Sequence, residues 1–529
     1  MRKAIWLGAV AVLIPAAHAQ ESFQDYVASQ REEFQAFREA RDKEFHQFLQ
    51  ARWEAFQVDK GEREDPAPKP DSMPEAQPEP VSDPAPEPIP ADRVAEPAPD
   101  TAEQPPPAET PSTASEPQPE EEPGRARGDQ PEPESRTQQE PGLATDHEPE
   151  SMPEREPAPA PEPAAPSGES VEVAFLGHSL NVAVPAAWDG IELGRADKQA
   201  VADFWADFAK APTKPVVAEL EQIRERLNLN GWGYLKLTQA LAESVHGSGN
   251  TAVATTWGLL LKSGYDARVG YADGELLLLY RPEEKLFDTP YFDLDGRRYY
   301  LFGGESGSVP RLHTYAADYQ GADSGLAVAV TQPPKVKGAG KERTLRFEFQ
   351  GETHRVSVSL QPALLDYLGT VPQLAVERYF TTESRPGLEA AVVEPLRQAS
   401  ADMDRVERVN FLLRFAQTAF EYQTDQKQFG REDYLYPEET LFYPASDCED
   451  RSVLFAYLVR RVMGLEVAVL DYPGHVATAV SLDEGRGVRV EVAGRKLMVA
   501  DPTYIKARAG MVMPDFKGKR PRVVPLWEG

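Results

Sequence analysis

Residues 61–170 form a segment whose composition prevents it from folding on its own. It holds 29 of the chain's 49 prolines, and 28 acidic side chains against 7 basic ones. Because aromatic and β-branched residues are nearly missing, it cannot bury enough apolar surface to offset the entropy lost on ordering. We predict an extended, self-repelling, disordered linker between a short N-terminal part and a larger C-terminal part of this 529-residue chain.

The linker also accounts for most of the net charge of −30. Its own net charge is −21, the difference between its 28 acidic and 7 basic residues. The rest of the chain is only mildly acidic, whereas proteins that bind a phosphate backbone carry a basic face. The composition therefore gives no support for nucleic acid as a partner.

The N-terminus has the three parts of a secretory signal peptide. Two basic residues precede the apolar run 4–15, and the sequence Ala-His-Ala follows at 17–19. We therefore predict that residues 1–19 are removed before Gln20, so that the protein is periplasmic or secreted and its mature chain has no membrane span. An uncleaved anchor is the alternative, which the short apolar run disfavours.

Residues 20–60 carry aromatic side chains at a repeat of eleven residues. One series is Phe23, Phe34, Phe45 and Phe56, and the second is Tyr26, Phe37 and Phe48. Eleven residues make almost three helical turns, which predicts an amphipathic helix with a nearly straight aromatic stripe. A single helix cannot bury such a stripe, so the globular part, a second copy of the chain or another partner should cover it. The mixed charges on its polar face disfavour a role on a membrane surface.

From residue 171 onward the composition is that of a globular protein, and its pattern occurs twice. Each half begins with two alternating stretches around a glycine, at 171–184 and 345–358, which predict a β-hairpin. Each half continues with an apolar helix that ends at a glycine and then with short strands. We predict two tandem α+β domains, residues 171–325 and 343–529.

The second half contains the chain's single cysteine, Cys448, just before an apolar helical run. His475 precedes an apolar strand, and Asp501 ends another strand in front of a proline. A cysteine at a helix start, followed by histidine and aspartate on strands, is the order of a nucleophile, a base and an orienting carboxylate. The helix dipole and the free N–H groups at that helix start would favour a thiolate and could face an oxyanion.

Aligning the two halves on their shared glycines indicates that only the second half carries this set. Ser248 falls on Cys448, Glu275 falls on His475, and Gly303 falls on Asp501. A serine needs a stronger base than a carboxylate to act as a nucleophile. We therefore expect the first half to be inactive.

Four short stretches surround the three candidate residues. They are Pro437-Glu-Glu-Thr-Leu, Ser446-Asp-Cys-Glu-Asp-Arg-Ser-Val-Leu, Gly474-His-Val and Ala500-Asp-Pro-Thr-Tyr. Together they resemble the transglutaminase-like cysteine peptidase superfamily over about residues 400–510, with a fainter similarity at 230–305. The resemblance implies a papain-like fold, with the cysteine on a central helix against an antiparallel sheet that carries the histidine and the aspartate. Ser446 is a departure, because relatives often have glycine there.

The resemblance further implies acyl transfer from an amide. The expected protein is an exported cysteine amidase or peptidase that forms a thioester on Cys448, with a protein or peptide of the cell envelope as substrate. Transamidation is one alternative to hydrolysis. The other is a non-catalytic binding or scaffold protein, which the inactive first half would suit.

The sequence gives little indication of further ligands. Tyr443 is a candidate for the oxyanion hole from its position alone. Asp293 and Asp295 resemble the start of a calcium loop, but no later acidic ligand closes it, and Asp-Gly is an ordinary hairpin turn. We therefore expect no metal and no cofactor.

Overall fold

The computed structural model describes residues 16–51, 53–64, 67, 69–70, 72–76, 89–90, 93–94, 168–303, 311–383 and 386–527. They belong to one compact unit, and the chain's other unit, 104–165, lies outside the described residues, as do residues 1–15 of the predicted signal peptide. None of the described helices combines the length and the apolar composition that crossing a membrane requires. The fold class is α+β, with helices packed on antiparallel sheets, as predicted.

The N-terminal region is a helix followed by a strand, where the sequence pattern predicted a helix throughout 20–60. Helix α1 is Ala16–Gln50, and strand β1 is Trp53–Gln57. The indole of Trp53 donates to the carbonyl of Leu49 at 2.8 Å, at the end of the helix. Strand β1 then pairs with a sheet edge, so its backbone groups find partners there instead of in a longer helix.

The aromatic stripe of α1 is divided between the globular part and the solvent. Phe45 is buried, and its ring lies 4.9 Å from that of Trp205. Phe37 and Phe48, of the second series, are 52% and 46% exposed. The side chains of Phe23, Tyr26 and Phe34 lie outside the described residues. The globular part therefore covers the first series at the end of the helix.

The first globular half begins with a hairpin and ends with a sheet. Its elements are β4 (Gly168–Phe175), β5 (His178–Pro185), α2 (Lys198–Phe208), α3 (Thr213–Leu227), α4 (Gly231–His246), α5 (Asn250–Lys262), β6 (Ala267–Ala272), β7 (Glu275–Tyr280), β8 (Tyr291–Leu294), β9 (Arg297–Leu301) and β10 (Arg311–Tyr315), and the short strands β2 (Ile89–Pro90) and β3 (Arg93–Val94) precede it. The antiparallel sheet has the order β1-β10-β6-β7-β9-β8. Helix α5 is buried on most sides, and it packs against β6 and β7.

The second half follows the same order of hairpin, helices and sheet. Its elements are β11 (Lys341–Phe349), β12 (Glu352–Leu360), α6 (Pro362–Leu368), α7 (Val376–Phe380), α8 (Pro386–Leu388), α9 (Glu394–Ala399), α10 (Arg405–Thr418), β13 (Glu421–Tyr422), α11 (Asp425–Gln428), α12 (Pro437–Phe442), β14 (Ala445–Ser446), α13 (Cys448–Met463), β15 (Val467–Tyr472), β16 (His475–Val480), β17 (Arg489–Val492), β18 (Arg495–Ala500) and β19 (Arg522–Pro525). Its sheet has the order β2-β17-β18-β16-β15-β19-β3. The core strands pair antiparallel, and the short strands β2 and β3 add parallel edges.

Equivalent positions of the two halves differ in burial. Glu275 begins β7 as His475 begins β16, in agreement with the alignment of the halves. Glu275 and Ser248 are both exposed, whereas His475 and Cys448 are buried. In the first half, the two positions therefore form no buried polar pair.

The beginning of the predicted linker lies on both halves. We call the described residues of 59–76 the strap. Its first part contacts the first half, where Asp59 exchanges two backbone hydrogen bonds with Tyr291. Glu62 forms ion pairs with Lys285 and Arg298 at 2.5 and 3.0 Å.

The later part of the strap contacts the second half. The carboxylate of Glu64 accepts a hydrogen bond from the backbone N–H of Val376 at 2.8 Å. Near its end, the backbone N–H of Ala76 donates to the carbonyl of Ile505 at 2.8 Å. Composition predicted none of these contacts. It shows that the segment cannot form a core of its own, but it does not show whether the segment can bind to a folded domain.

Candidate functional site

The site forms where helix α13 begins, and polar residues of its first turn fix this helix in place. Asp447 is the N-cap residue, and its backbone N–H donates to Asp450 at 3.2 Å. The second oxygen of Asp450 accepts from the backbone N–H of Leu435 at 2.9 Å. Ser452 donates to the carbonyl of Val476 at 2.9 Å, which ties the helix to strand β16.

Arg451 is fully buried and joins α13 to the end of α10. Its guanidinium donates to the carbonyls of Gln417 and Phe420, both at 3.1 Å. Its Nε donates to the hydroxyl of Ser446 at 3.1 Å. Ser446 thus has a structural role, since a glycine at this position would leave the Nε donor without that partner.

His475 and Asp501 form a buried pair at the adjacent ends of β16 and β18. The distance from His475 Nε2 to Asp501 Oδ2 is 2.9 Å. His475 Nδ1 is buried and has no hydrogen-bond partner among the described residues. The ring of Phe516 stacks on the imidazole, with centroids 4.6 Å apart. Because Asp501 holds Nε2 as a donor, the imidazole keeps Nδ1 free to accept a proton.

Asp501 is an ionised carboxylate. Burial would raise its pKa, but His475 and the hydrogen bonds from Thr503 outweigh burial, so that the pKa lies below its usual range. Asp501 Oδ1 accepts from the backbone N–H of Thr503 at 3.0 Å and from its hydroxyl at 2.8 Å. The amide of Gln417 donates to the carbonyls of Asp501 and Tyr504, which fixes the loop after the strand.

Cys448 is fully buried on the helix face that meets β16. Ser452, one turn later on that face, bonds to Val476, so we infer that Cys448 lies beside the start of the strand, at His475. The thiol donates to Glu449 Oε2 at 2.9 Å. Within the described part of the chain, no hydrogen bond joins Cys448 to His475. We therefore infer that the three predicted residues lie in one region, with the thiol hydrogen-bonded to Glu449 and not to the imidazole.

The thiol is not activated in this arrangement. Burial raises the pKa of Cys448, and the carboxylates of Glu449 and Asp447 raise it further, whereas Lys69 lowers it. The sequence-based expectation of a thiolate stabilised by the helix start is therefore wrong for this conformation. Desolvation and two adjacent negative charges outweigh the helix dipole.

An acidic pocket lies next to Cys448, and a lysine of the strap fills it. We define the acidic pocket as Asp425, Glu432, Asp447 and Glu449. The ammonium of Lys69 lies 2.7 Å from Asp447, 2.9 Å from Glu449, 2.5 Å from Glu432 and 3.6 Å from Asp425. Only 7% of the Lys69 side chain is exposed. Sequence reasoning missed this pocket, because Lys69 and Asp447 are 378 residues apart.

Raised carboxyl pKa values and one buried cation together explain how the pocket tolerates burial. Burial alone would lower the pKa of Lys69, but Glu449, Asp447 and Asp425 hold it well above its ordinary value. Burial raises the pKa of Glu449, Asp425 and Glu432, and Lys69 opposes the rise in all three. The ammonium therefore stays charged, and the raised carboxyl pKa values reduce the negative charge that this single cation has to compensate.

Two groups of side chains here have ligand atoms close enough together to hold a metal ion. One is Asp447, Cys448 and Glu449, and the other is Asp425, Asp447 and Asp450. The ammonium of Lys69 already supplies the cation in contact with three of these side chains. At the Asp293 position, Arg298 pairs with the carboxylate at 3.1 Å, and the following Asp-Gly forms the hairpin turn between β8 and β9.

Tyr422 lies in the surroundings of Cys448. The Tyr443 ring packs against Phe429, with centroids 5.2 Å apart. Tyr422 lies on β13, which pairs with β14 just before Cys448, and the charge of Cys448 contributes to its raised pKa, after burial. Its hydroxyl donates to the carbonyl of Pro70 in the strap at 2.9 Å. No sequence motif indicates this tyrosine.

The docking of the strap should weaken as the pH rises towards 8. Burial raises the pKa of Glu64 to about 8. The carboxylates of Glu377 and Asp471 raise it further, whereas Arg522 and the hydrogen bond from Val376 lower it. Between its ordinary value and 8, the docked carboxyl holds a proton that the released carboxyl does not. Docking therefore takes up a proton and loses up to about tenfold in its equilibrium constant per pH unit.

We expect tryptic cleavage after Arg63 to accelerate between pH 6 and pH 8.5, relative to an unstructured peptide standard. Glu64→Gln should abolish this acceleration. Asp59→Asn, on an exposed carboxylate of the same strap, should retain the wild-type profile. Identical profiles for Glu64→Gln and the wild type would show that Glu64 does not control docking.

Comparisons of this chain with protein-family models, with curated proteins and with solved structures find no match.

Proposed function

We propose that the protein is an exported cysteine amidase or peptidase of the transglutaminase-like, papain-like type. The observation that carries the proposal is the His475–Asp501 pair, with Nδ1 unpartnered, beside the helix start that bears the only cysteine. Two tandem domains of this type, with an inactive first copy, agree with the repeated order of elements. The similarity to this superfamily rests on the sequence motifs and on this arrangement.

The chemistry follows from the three side chains. The thiol must first exchange its hydrogen bond to Glu449 for one to His475. Nδ1 then takes the proton, and the Sγ lone pair attacks the carbonyl carbon of an amide. The C–N bond then breaks, and the imidazolium returns the proton to the leaving amine. Water attacks the thioester with His475 as base, which releases the acid and restores the thiol. Asp501 keeps the imidazole in the required tautomer throughout.

Two kinds of donor are available for the oxyanion of the tetrahedral intermediate. The first N–H groups of α13 have no partner within the helix. The Tyr422 hydroxyl already binds a carbonyl oxygen, that of Pro70. We assign Tyr422 as the side-chain donor, in place of Tyr443.

A non-catalytic binding protein remains the second candidate. It is favoured by the thiol's hydrogen bond to Glu449 and by the full burial of Cys448. We prefer the enzyme with a closed resting state, because a binding protein has no need for an ionised aspartate that orients an otherwise unpaired imidazole.

The test is acylation of Cys448 by p-nitrophenyl acetate, a small donor. We expect a burst of one nitrophenolate per protein and an acetyl group on Cys448 by mass spectrometry. His475→Ala should lower the burst rate by about 10²- to 10⁴-fold, the usual contribution of a general base. Added alkylamine distinguishes hydrolysis from transamidation, since only a transamidase forms the acetylated amine as its main product.

The control is the pH profile of Cys448 alkylation by iodoacetamide. In the enzyme, His475→Ala changes this profile as well as the burst. If the thiol titrates as an ordinary cysteine and His475→Ala alters neither measurement, the enzyme proposal fails and the binding protein becomes the better description.

A further inference from the structure

We propose that the acidic pocket is a subsite for an ammonium-bearing side chain of the substrate, and that Lys69 occupies it as an internal competitor. The inference rests on the proposed function and adds a substrate class to it: peptides with lysine next to the reacting residue. The strap must leave before such a peptide can bind.

The pocket is built from separate elements around one cation. Its four carboxylates come from α11, from the loop after it, from the N-cap of α13 and from the first turn of α13. All four lie within 3.6 Å of the same ammonium nitrogen. Asp447 Oδ1 is buried and has no hydrogen-bond partner among the described residues, so the pocket retains unused acceptor capacity. The Lys69 ammonium also lies over the ring of Tyr434, at 5.4 Å. Carboxylates and an aromatic face together recognise a cation.

The occupant is an extended segment, not part of the domain core. Lys69 is the only basic residue between Arg63 and Arg93, in a stretch that is otherwise proline-rich and acidic. Such a stretch would be repelled by an acidic pocket if it lacked this residue. A segment of this composition supplies no apolar core, so its binding depends on a few specific contacts.

Those contacts are ones that any extended peptide with a lysine could make. The carbonyl of Pro70, the residue after Lys69, accepts from Tyr422 at 2.9 Å. Farther along, Pro74 and Ala76 exchange backbone hydrogen bonds with Ile505, at 3.1 and 2.8 Å. The strap thus uses a side-chain pocket, a carbonyl-binding hydroxyl and main-chain pairing beside the loop of Asp501. Main-chain hydrogen bonds combined with a side-chain pocket are a common way to hold an extended peptide.

The position of Tyr422 sets the register of the expected substrate. If the carbonyl bound by Tyr422 marks the reacting residue, the lysine stands one residue before it. If the reacting residue is counted as the last residue of the acyl part of the substrate, the pocket favours lysine at the penultimate residue. It has no comparable preference at the last residue. A substrate ammonium in the pocket also lowers the pKa of the Cys448 thiol, as Lys69 does.

The experiment compares four acetylated tripeptide chloromethyl ketones, with lysine or norleucine at the last or the penultimate position. Labelling of Cys448 is followed by mass spectrometry in the wild type, in Lys69→Met and in Cys448→Ala. We expect slow labelling of the wild type by all four probes. In Lys69→Met, the penultimate-lysine probe should react about tenfold faster than its norleucine counterpart, which is the usual worth of a charge-assisted hydrogen bond. Cys448→Ala should not be labelled.

Two further variants test the subsite even if Lys69→Met fails to fold. Lys506→Glu replaces the exposed ion pair with Glu75 by a repulsion and loosens the strap without touching the pocket. It should increase labelling by the penultimate-lysine probe more than by the norleucine probe. Adding Glu432→Gln to Lys506→Glu should reduce that preference.

The outcomes separate the two proposals. Labelling of Cys448 at equal rates by lysine and norleucine probes in both Lys69→Met and Lys506→Glu would overturn the subsite while leaving the enzyme intact. Failure of every probe to label Cys448, together with no burst from p-nitrophenyl acetate, would overturn the proposed function and the subsite with it. A preference for penultimate lysine supports both.

Discussion

Replacing Asp501 by asparagine should lower the rate of Cys448 acylation by roughly 10³- to 10⁴-fold with little change in stability. The asparagine carbonyl can still accept the two hydrogen bonds from Thr503. Its NH₂ group, however, would face His475 Nε2 as a donor. The neutral imidazole would then carry its proton on Nδ1, where it cannot accept the proton of the thiol.

The measurement is the burst rate with p-nitrophenyl acetate, alongside a urea unfolding curve. Asp483→Asn, on an exposed aspartate of the same half, is the matched control and should retain the wild-type burst. A normal burst in folded Asp501→Asn would show that Asp501 does not orient the base, and that the pair with His475 is only structural.

Replacing Arg451 by methionine should lower the free energy of unfolding by about 3–5 kcal/mol. Methionine fills a similar volume but leaves the carbonyls of Gln417 and Phe420 and the hydroxyl of Ser446 without their donor. Burial lowers the pKa of Arg451 to about 10, with Tyr422 and Asp447 opposing burial, so the guanidinium is charged at neutral pH. Its loss would therefore also remove positive charge that stabilises the carboxylates of Asp447 and Asp450.

Urea unfolding followed by tryptophan fluorescence measures this loss. Arg461→Met is the matched control on the same helix, because its side chain is 52% exposed and pairs with Glu389 at the surface. We expect it to change stability by less than about 1 kcal/mol. Equal effects of the two substitutions would show that the buried hydrogen bonds of Arg451 contribute nothing specific.

The sequence predicted the parts of the structure that depend on local pattern. Alternation around a glycine predicted both hairpins, and the apolar run after Cys448 predicted α13. The polar residues at strand ends predicted that His475 and Asp501 would meet, because neighbouring antiparallel strands bring such ends together. The α+β class follows from these elements.

The parts that sequence reasoning missed depend on contacts between distant segments. No local pattern indicates that Lys69 lies in a pocket of carboxylates, or that Phe516 stacks on His475. The expected thiolate failed mainly because tertiary packing buries Cys448, which raises its pKa; Glu449 and Asp447, which raise it further, are its neighbours in the sequence. The helix predicted for 20–60 ends at Gln50, because a strand partner for β1 lies far along the chain.

The strap has one consequence that follows from its covalent attachment. A tethered ligand competes at an effective concentration that reaches the millimolar range for short linkers, whatever the dilution of the protein. A free peptide must therefore exceed that concentration, or bind more tightly than the strap, before half of the molecules open. The closed fraction is then the same in a dilute assay as in a crowded compartment. A low apparent affinity for short peptides would reflect competition from the strap as well as the intrinsic affinity of the acidic pocket.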